Sequence, residues 1–168
     1  MKKLACLILI GIAILSFSLS CSKQPLCCVV PPHSELHVTA EKNGAGWTAD
    51  PQYSAIHDDT VVISGTNFNS TIEETLNMQF IISGTGNYPL KNMQAVYYNT
   101  LGRDVITSEY DLDDSSANSV NVLTYDKNTN IITGNFNLKL KHIYPDSANT
   151  SKNTIQFLNG TFAVRLNK

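Results

Sequence analysis

The chain has 168 residues, with 12 Lys and Arg against 14 Asp and Glu and a formal net charge of −2. A chain of this size buries roughly 68–70 % of its unfolded surface, so one domain can be stable without disulfides. The small negative charge, without clusters of Lys or Arg, argues against a protein that binds nucleic acid through its phosphates.

The first twenty residues have the form of a bacterial export signal that ends at a lipidation site. Two lysines precede the apolar run 4–19, and Ser20 precedes Cys21. The run is shorter than the about 20 residues that a membrane-spanning helix needs. We therefore expect residues 1–20 to be a signal peptide and Cys21 to become an acylated, palmitate-bearing first residue. An ordinary cleaved signal without lipid is the alternative.

Acylation of Cys21 would make the lipid bilayer the first partner of the protein. Each buried methylene contributes about 0.8 kcal/mol, so several chains would hold the protein at a membrane permanently. Ser22, which is not acidic, follows the cysteine. This favours the periplasmic face of the outer membrane, with the cell surface as the alternative location.

Residues 21–34 predict a flexible tether between the anchor and a folded domain. The segment contains three prolines, which fix φ and remove backbone donors. Cys27 and Cys28 are neighbours and cannot cross-link distant parts of a fold. The domain is then expected at residues 35–168.

From Leu36 onward the pattern is that of short β-strands separated by turn residues. Residues 36–42 alternate apolar with polar, and Asn43-Gly44 predicts a tight turn before Trp47. The clearest hairpin joins 120–125 to 130–141 through a turn at 126–129. Further predicted strands cover 60–65, 76–82, 94–99, 104–110 and 155–166, the last with a kink at 159–160.

These strands predict an all-β, antiparallel β-sandwich of about seven to nine strands, with a calycin-like β-barrel as the alternative. Residues 71–76 have some helical character, enough for one or two turns. Gly65, Gly84 and Gly134 each follow Ile-Ser or Ile-Thr, and we expect them at strand ends or bulges.

Four short motifs resemble, in their order, an uncharacterised family of small all-β lipoproteins from Gram-negative envelopes. They are Asn43-Gly44 before Trp47-Thr48-Ala49, Gly86-Asn87-Tyr88-Pro89-Leu90, Ile132-Thr133-Gly134-Asn135-Phe136 and Leu158-Asn159-Gly160-Thr161-Phe162. The resemblance spans about Leu36 to Leu166 and implies an all-β fold and an envelope location. That family has no agreed activity, so the resemblance implies no catalytic residues.

Trp47 and Tyr98 are the candidate ligand-contacting residues. A tryptophan beside a turn can stack on a ligand, although such a residue more often fills the end of a core. A sugar-binding platform would need several tyrosines on one face, drawn from Tyr97, Tyr98, Tyr110, Tyr125 and Tyr144. Tyr97 and Tyr98 are adjacent in a predicted strand, so they point to opposite faces.

No pattern of catalytic or metal-binding residues stands out, and we expect neither an enzyme nor a cofactor. The four histidines, His33, His37, His57 and His142, are not at metal-ligand spacings. Asp111, Asp113 and Ser115 resemble the start of a calcium loop, but Ser116 replaces its glycine. We therefore interpret this segment as a solvated loop.

Two sites resemble the Asp-Ser/Thr-aliphatic acceptor used for O-glycosylation of exported proteins in some bacteria. They are Asp146-Ser147-Ala148 and Asp59-Thr60-Val61. Ser147 lies in a polar loop and is the stronger candidate, because Thr60 lies at the edge of a predicted strand.

Together these patterns predict a membrane-anchored envelope lipoprotein with a non-catalytic β domain that binds or scaffolds an envelope protein or glycan. The alternatives are a carrier of a small apolar ligand and a carbohydrate-binding module. A carrier would need a lined cavity of several hundred Å3 inside the sheet.

Overall fold

The computed structural model describes residues 36–68, 71–145 and 154–167. The chain divides into two units, Met1–Ser34 and Glu35–Lys168, and every described residue belongs to the second. The described residues form ten β-strands and one short 3-10 helix, Asn92–Gln94. The strands are β1 His37–Lys42, β2 Ala45–His57, β3 Thr60–Asn67, β4 Ile72–Ile81, β5 Gly86–Pro89, β6 Ala95–Leu101, β7 Val105–Leu112, β8 Ser119–Asp126, β9 Ile131–Tyr144 and β10 Thr154–Arg165.

The ten described strands pair antiparallel in a single sheet that closes on itself. The pairing runs β1-β2-β3-β4-β6-β7-β9-β10, and β10 also pairs with β1, so eight strands form a ring. On one edge of β9, residues 131–137 pair with β8 and residues 140–144 pair with β7. β8 and β5 therefore branch away from the ring at that point. The all-β, antiparallel prediction is confirmed. The described strands number ten rather than seven to nine, and they form one closed sheet, as in the barrel alternative, rather than the two stacked sheets of a sandwich.

The core fills the interior of the ring, because successive side chains of a strand point alternately inward and outward. In β4, Leu76, Met78 and Phe80 are almost fully buried, as their shared parity predicts. Full burial of one such side chain stabilises the fold by about 1.5–3 kcal/mol. The interior also contains Val38, Ile63, Phe136, Leu140, Phe157, Phe162 and Val164.

The two predicted hairpin turns are present. Lys42 pairs with Ala45 across a two-residue turn in which Asn43 has φ 52° and Gly44 has φ 81°. Positive φ at both central residues is what a type I′ turn requires. Between β8 and β9, Asp126 accepts hydrogen bonds from the backbone N–H of Asn128 at 2.9 Å and from the Thr129 hydroxyl at 2.8 Å.

One local prediction was wrong. Residues 71–76 form no helical turn: β4 begins at Ile72 and pairs with β3 on one side and β6 on the other. Backbone pairing on both edges outweighs a weak local helical preference. The short strand β5 at residues 86–89 was not among the predicted strands, and Pro89 is tolerated in it because β5 pairs on one side alone.

The three glycines lie where the prediction places them, beyond a strand end or beside a bulge. Gly84 lies outside the strands with φ +142°, which favours glycine. Gly65 in β3 pairs with Pro51, where the β2–β3 register shifts, and Gly134 in β9 pairs with Val122, where the β8–β9 register shifts. A Cβ on Gly65 would lie 3.1 Å from the Cβ of Val38, and one on Gly134 would lie 2.5 Å from Cζ of Phe162. Gly134 leaves no room for a Cβ because the Phe162 ring occupies the space, whereas a Cβ on Gly65 would be tight and Val38 would have to move by a few tenths of an ångström.

Candidate ligand-binding groove

A groove of about 470 Å3 lies on the outer face of the closed sheet. Its floor is formed by outward-facing residues of β3, β4 and β6, among them Val62 and Val96. It reaches Tyr53 on β2 in one direction and Ile106 on β7 in the other. The groove therefore runs across neighbouring strands rather than along one of them.

The aromatic and apolar side chains of the groove are accessible. Tyr53 is 57 % exposed, Met93 71 % and Ile106 43 %, while Tyr98 is half-buried between them in the lining. Exposed apolar surface that is gathered at one place, with polar groups around it, is typical of a binding site.

The polar side chains of the groove are mostly uncharged. Ser64, Asn77, Gln79 and Gln94 supply hydroxyl and amide groups, and Glu109 supplies a carboxylate. Among the described residues that line the groove, none is Lys or Arg. The groove can thus form many neutral hydrogen bonds, but it offers no cation for an anionic ligand.

Local register shifts accompany three of the groove residues. The β2–β3 pairing shifts between Pro51 and Tyr53, the β6–β7 pairing shifts just before Ile106 pairs with Thr100, and the β7–β9 pairing shifts just after Glu109. An extra residue in one strand bends it and redirects the neighbouring side chain. Other shifts occur in β1, β8 and β10, so bulges are a general feature of this sheet.

A second depression of about 450 Å3 adjoins the groove. The two share Ile106 and Glu109, and the second is also lined by Asp104, Val105 and Tyr144. Tyr144, at the end of β9, is 49 % exposed. The accessible surface thus continues from Tyr53 on β2 to Tyr144 on β9.

Trp47 lies on the inside of the ring, not on this surface. It is 3 % exposed, and its ring contacts Phe157 with centroids 5.1 Å apart in an edge-on arrangement. Its indole N–H donates to Oε2 of Glu74 at 2.7 Å, and Lys42 donates to Oε1 of the same carboxylate. Of the two candidate contact residues, only Tyr98 lines the groove.

Lys42, Trp47, Glu74 and Tyr97 form an inner polar cluster at the end of the ring where β1 ends. Nζ of Lys42 lies 5.3 Å from the centre of the Tyr97 ring and donates to its Oη at 3.1 Å. Burial, together with the nearby Glu74 carboxylate, raises the pKa of Tyr97 far above its ordinary value. Tyr97 thus stays a neutral phenol, and its buried ring packs in the core next to the Lys42–Glu74 ion pair.

Of the other tyrosines in the predicted platform, Tyr144 reaches the same surface as Tyr98 through the adjoining depression, whereas Tyr97, Tyr110 and Tyr125 do not. Tyr97 points inward and Tyr98 outward, as the alternation predicts. The ring of Tyr110 packs against the inward-facing ring of Tyr97, with centroids 5.6 Å apart, and against the His142 ring, with centroids 4.9 Å apart. Tyr125 lines a separate depression with Lys127.

The predicted solvated loop after β7 is organised by Asp113. Its Oδ1 accepts from the Ser115 hydroxyl at 2.6 Å and backbone N–H at 3.2 Å, and its Oδ2 lies 3.3 Å from Nζ of Lys139. These contacts, led by the Ser115 hydroxyl, lower the pKa of Asp113 to about 2. Within the described ranges, no three His, Cys, Asp or Glu side chains are grouped as metal ligands.

The lipidation residue Cys21 and the candidate glycosylation residue Ser147 lie outside the described residues. Thr60, the second candidate, is half-buried at the start of β3, where it pairs with His57 and Ile81. In the part of the chain that the structure covers, no helix is both long and apolar enough to cross a membrane.

Tyr53, Met93, Ile106 and Glu109 are groove residues that sequence reasoning missed. Tyr53 follows a bulge and Glu109 precedes one, so strict alternation does not assign their faces. Met93 lies in the short 3-10 helix and is brought to the groove by the path of the chain between β5 and β6.

The described residues thus form a closed antiparallel β domain with an open, largely uncharged groove on its outer face. A family model described as a domain of unknown function, DUF6252, matches residues 35–164, and the chain belongs to this family. The comparisons with curated proteins and with solved structures found no match.

Proposed function

We propose that the protein is a lipid-anchored envelope protein whose β domain binds or scaffolds a partner through the outer groove, without catalysing a reaction. The observation that supports binding is the groove itself, where Tyr53, Met93 and Ile106 are exposed beside amide and hydroxyl groups. Side chains of this kind lose solvent-exposed apolar area when a ligand covers them, which favours association.

The anchor in this proposal rests on Cys21 and the apolar run that precedes it. Acyl chains on Cys21 would place the protein at the periplasmic face of the outer membrane, with the cell surface as the alternative. The partner would then be an envelope protein or glycan that is reached from that membrane.

The interior of the ring gives the carrier alternative no support. Phe136 fills the space beside Gly160, and Phe162 fills the space beside Gly134, so inward-facing rings interdigitate where a ligand would have to lie. The outer groove, by contrast, is a surface at which the carbohydrate-binding alternative can be placed.

Anchoring is tested by replacing Cys21→Ala and labelling cells with a radioactive fatty acid. We expect the label and the membrane association to be lost, whereas Cys28→Ala, the matched control, should keep both. Unchanged labelling of the Cys21 variant would contradict the proposed anchor.

Binding is tested on the full-length protein purified from membranes in detergent, with mass spectrometry of the material that co-purifies. We expect the double variant Tyr53→Ser/Tyr98→Ser to lose material that the wild type retains. Leu123→Ser on β8 is the control, because Leu123 is 54 % exposed and outside the groove lining. Equal retention by wild type and double variant would contradict the assignment of binding to the groove.

A further inference from the structure

We infer that the groove binds an extended, uncharged glycan chain that lies across the strands from β2 to β7. This inference rests on the binding function proposed above and names the ligand class of the same site. Four features of the groove carry it: its length, its position on a sheet face, its side-chain chemistry and its charge.

The length of the groove fits a chain of several units. Tyr53 on β2 and Ile106 on β7 are separated by four inter-strand intervals, or about 19 Å along the sheet at about 4.8 Å each. The adjoining depression extends the surface by one more interval, to Tyr144 on β9. A single small ligand would cover only a fraction of this surface.

The position of the groove on a sheet face disfavours a peptide bound as an added strand. β3, β4 and β6, which form the floor, are each paired with a strand on both sides. Strand addition needs a free edge with unpaired N–H and C=O groups. A ligand of this groove must therefore be recognised by side chains.

The side chains match the two kinds of surface that a sugar presents. The amides of Asn77, Gln79 and Gln94 both donate and accept, as do the hydroxyl groups of a sugar. The faces of Tyr53 and Tyr98 are apolar and rigid, and they can pack against the C–H face of a sugar ring. The aromatic and amide groups of the groove together thus suit a sugar chain.

The charge of the groove selects against acidic polymers. Its lining carries the Glu109 carboxylate, the adjoining depression adds Asp104, and the described lining residues of both include no Lys or Arg. An anionic chain would meet repulsion without a compensating ion pair. One carboxylate in a long neutral groove is compatible with an uncharged chain.

The experiment measures binding of full-length protein in detergent to maltohexaose, cellohexaose, laminarihexaose, mannohexaose and chitohexaose by isothermal titration calorimetry. The corresponding disaccharides and the polyanion polygalacturonate are measured in parallel. We expect at least one hexasaccharide to bind, more tightly than its disaccharide and in preference to polygalacturonate.

Variants locate the binding. Tyr98→Ser should weaken it about ten-fold, whereas Tyr98→Phe, which keeps the ring, should retain most of it. Tyr53→Ser should weaken it to a similar extent, and Leu123→Ser should have no effect. Circular dichroism of each variant verifies that the sheet is intact, so that a loss of affinity reports the contact.

The outcomes separate this inference from the function on which it rests. If none of the hexasaccharides binds, or polygalacturonate binds better, the glycan inference is wrong. If in that case the Tyr53→Ser/Tyr98→Ser variant still loses material bound by the wild type, a partner other than an uncharged glycan occupies the groove and the binding function stands. If that material is unaffected too, both proposals are wrong.

Discussion

Phe162 on β10 lies directly opposite Gly134 on β9, and a Cβ on that glycine would lie 2.5 Å from Cζ of the phenylalanine. The relationship repeats in reverse along the same strand pair, where Phe136 lies opposite Gly160. Gly134 and Gly160 therefore make room for the phenyl groups of Phe162 and Phe136 where β9 and β10 pair in the closed sheet. Both lie in motifs on which the family resemblance rests.

The Gly134→Ala variant should lower the free energy of unfolding by about 1–3 kcal/mol, as overpacking of a filled core does. The new Cβ would meet the Asn121 carbonyl oxygen at 2.3 Å as well as the Phe162 ring, and a backbone atom cannot move away cheaply. Urea denaturation measures the change. The matched control is Gly46→Ala on β2, where no atom lies within 4 Å of a new Cβ. Equal destabilisation of both variants would show that packing is not the cause.

The inner polar cluster predicts a second effect on stability. Glu74→Gln should lower the free energy of unfolding by about 1–3 kcal/mol, because Lys42 would lose its anionic partner while Gln still accepts from the Trp47 indole. Trp47 is the one tryptophan of the chain, so its fluorescence reports unfolding at this cluster. Glu73→Gln is the control, since its partner Arg103 is 79 % exposed and such pairs contribute about 0–1 kcal/mol. A smaller effect at Glu74 than at Glu73 would contradict the prediction.

Asp113 predicts a pH dependence. Hydrogen bonds from Ser115, with help from Lys139, lower its pKa to about 2 in the folded state. A lowered pKa stabilises the fold above the unfolded value of about 3.8, and this contribution is lost as the pH falls through about 2. Asp113→Asn should therefore lower the melting temperature at pH 7, with a difference from wild type that shrinks between pH 4 and pH 2. Asp50→Asn, at an exposed position of β2, serves as control and should show no such convergence.

The glycosylation motifs predict an added hexose on the native protein. Ser147→Ala should remove it, whereas Thr60→Val should leave it in place, because Thr60 is paired within the sheet and half-buried. Intact-mass measurement of protein from its natural host decides the question. A native mass without added hexose would remove the prediction for both residues.

Local patterns were sufficient for most strands because each depends on neighbours in sequence. Asn43-Gly44 specifies its turn through positive φ values, and the parity of Leu76, Met78 and Phe80 specifies which face of β4 is inside. The groove did not follow from such rules. Tyr98 was found by parity, but Tyr53 beside its bulge needed the observed register.

The amino-acid sequence by itself determined an antiparallel all-β domain from residue 35 onward, because alternation and turn chemistry act over a few residues. Only the tertiary structure decided that the sheet closes, because the β9–β10 and β1–β10 pairings join residues far apart in the chain. It also decided that Trp47 faces Glu74 inside, while Tyr53 and Tyr98 share a groove outside. Contacts of this kind depend on how strands are ordered and where they bulge, which no short stretch of sequence specifies.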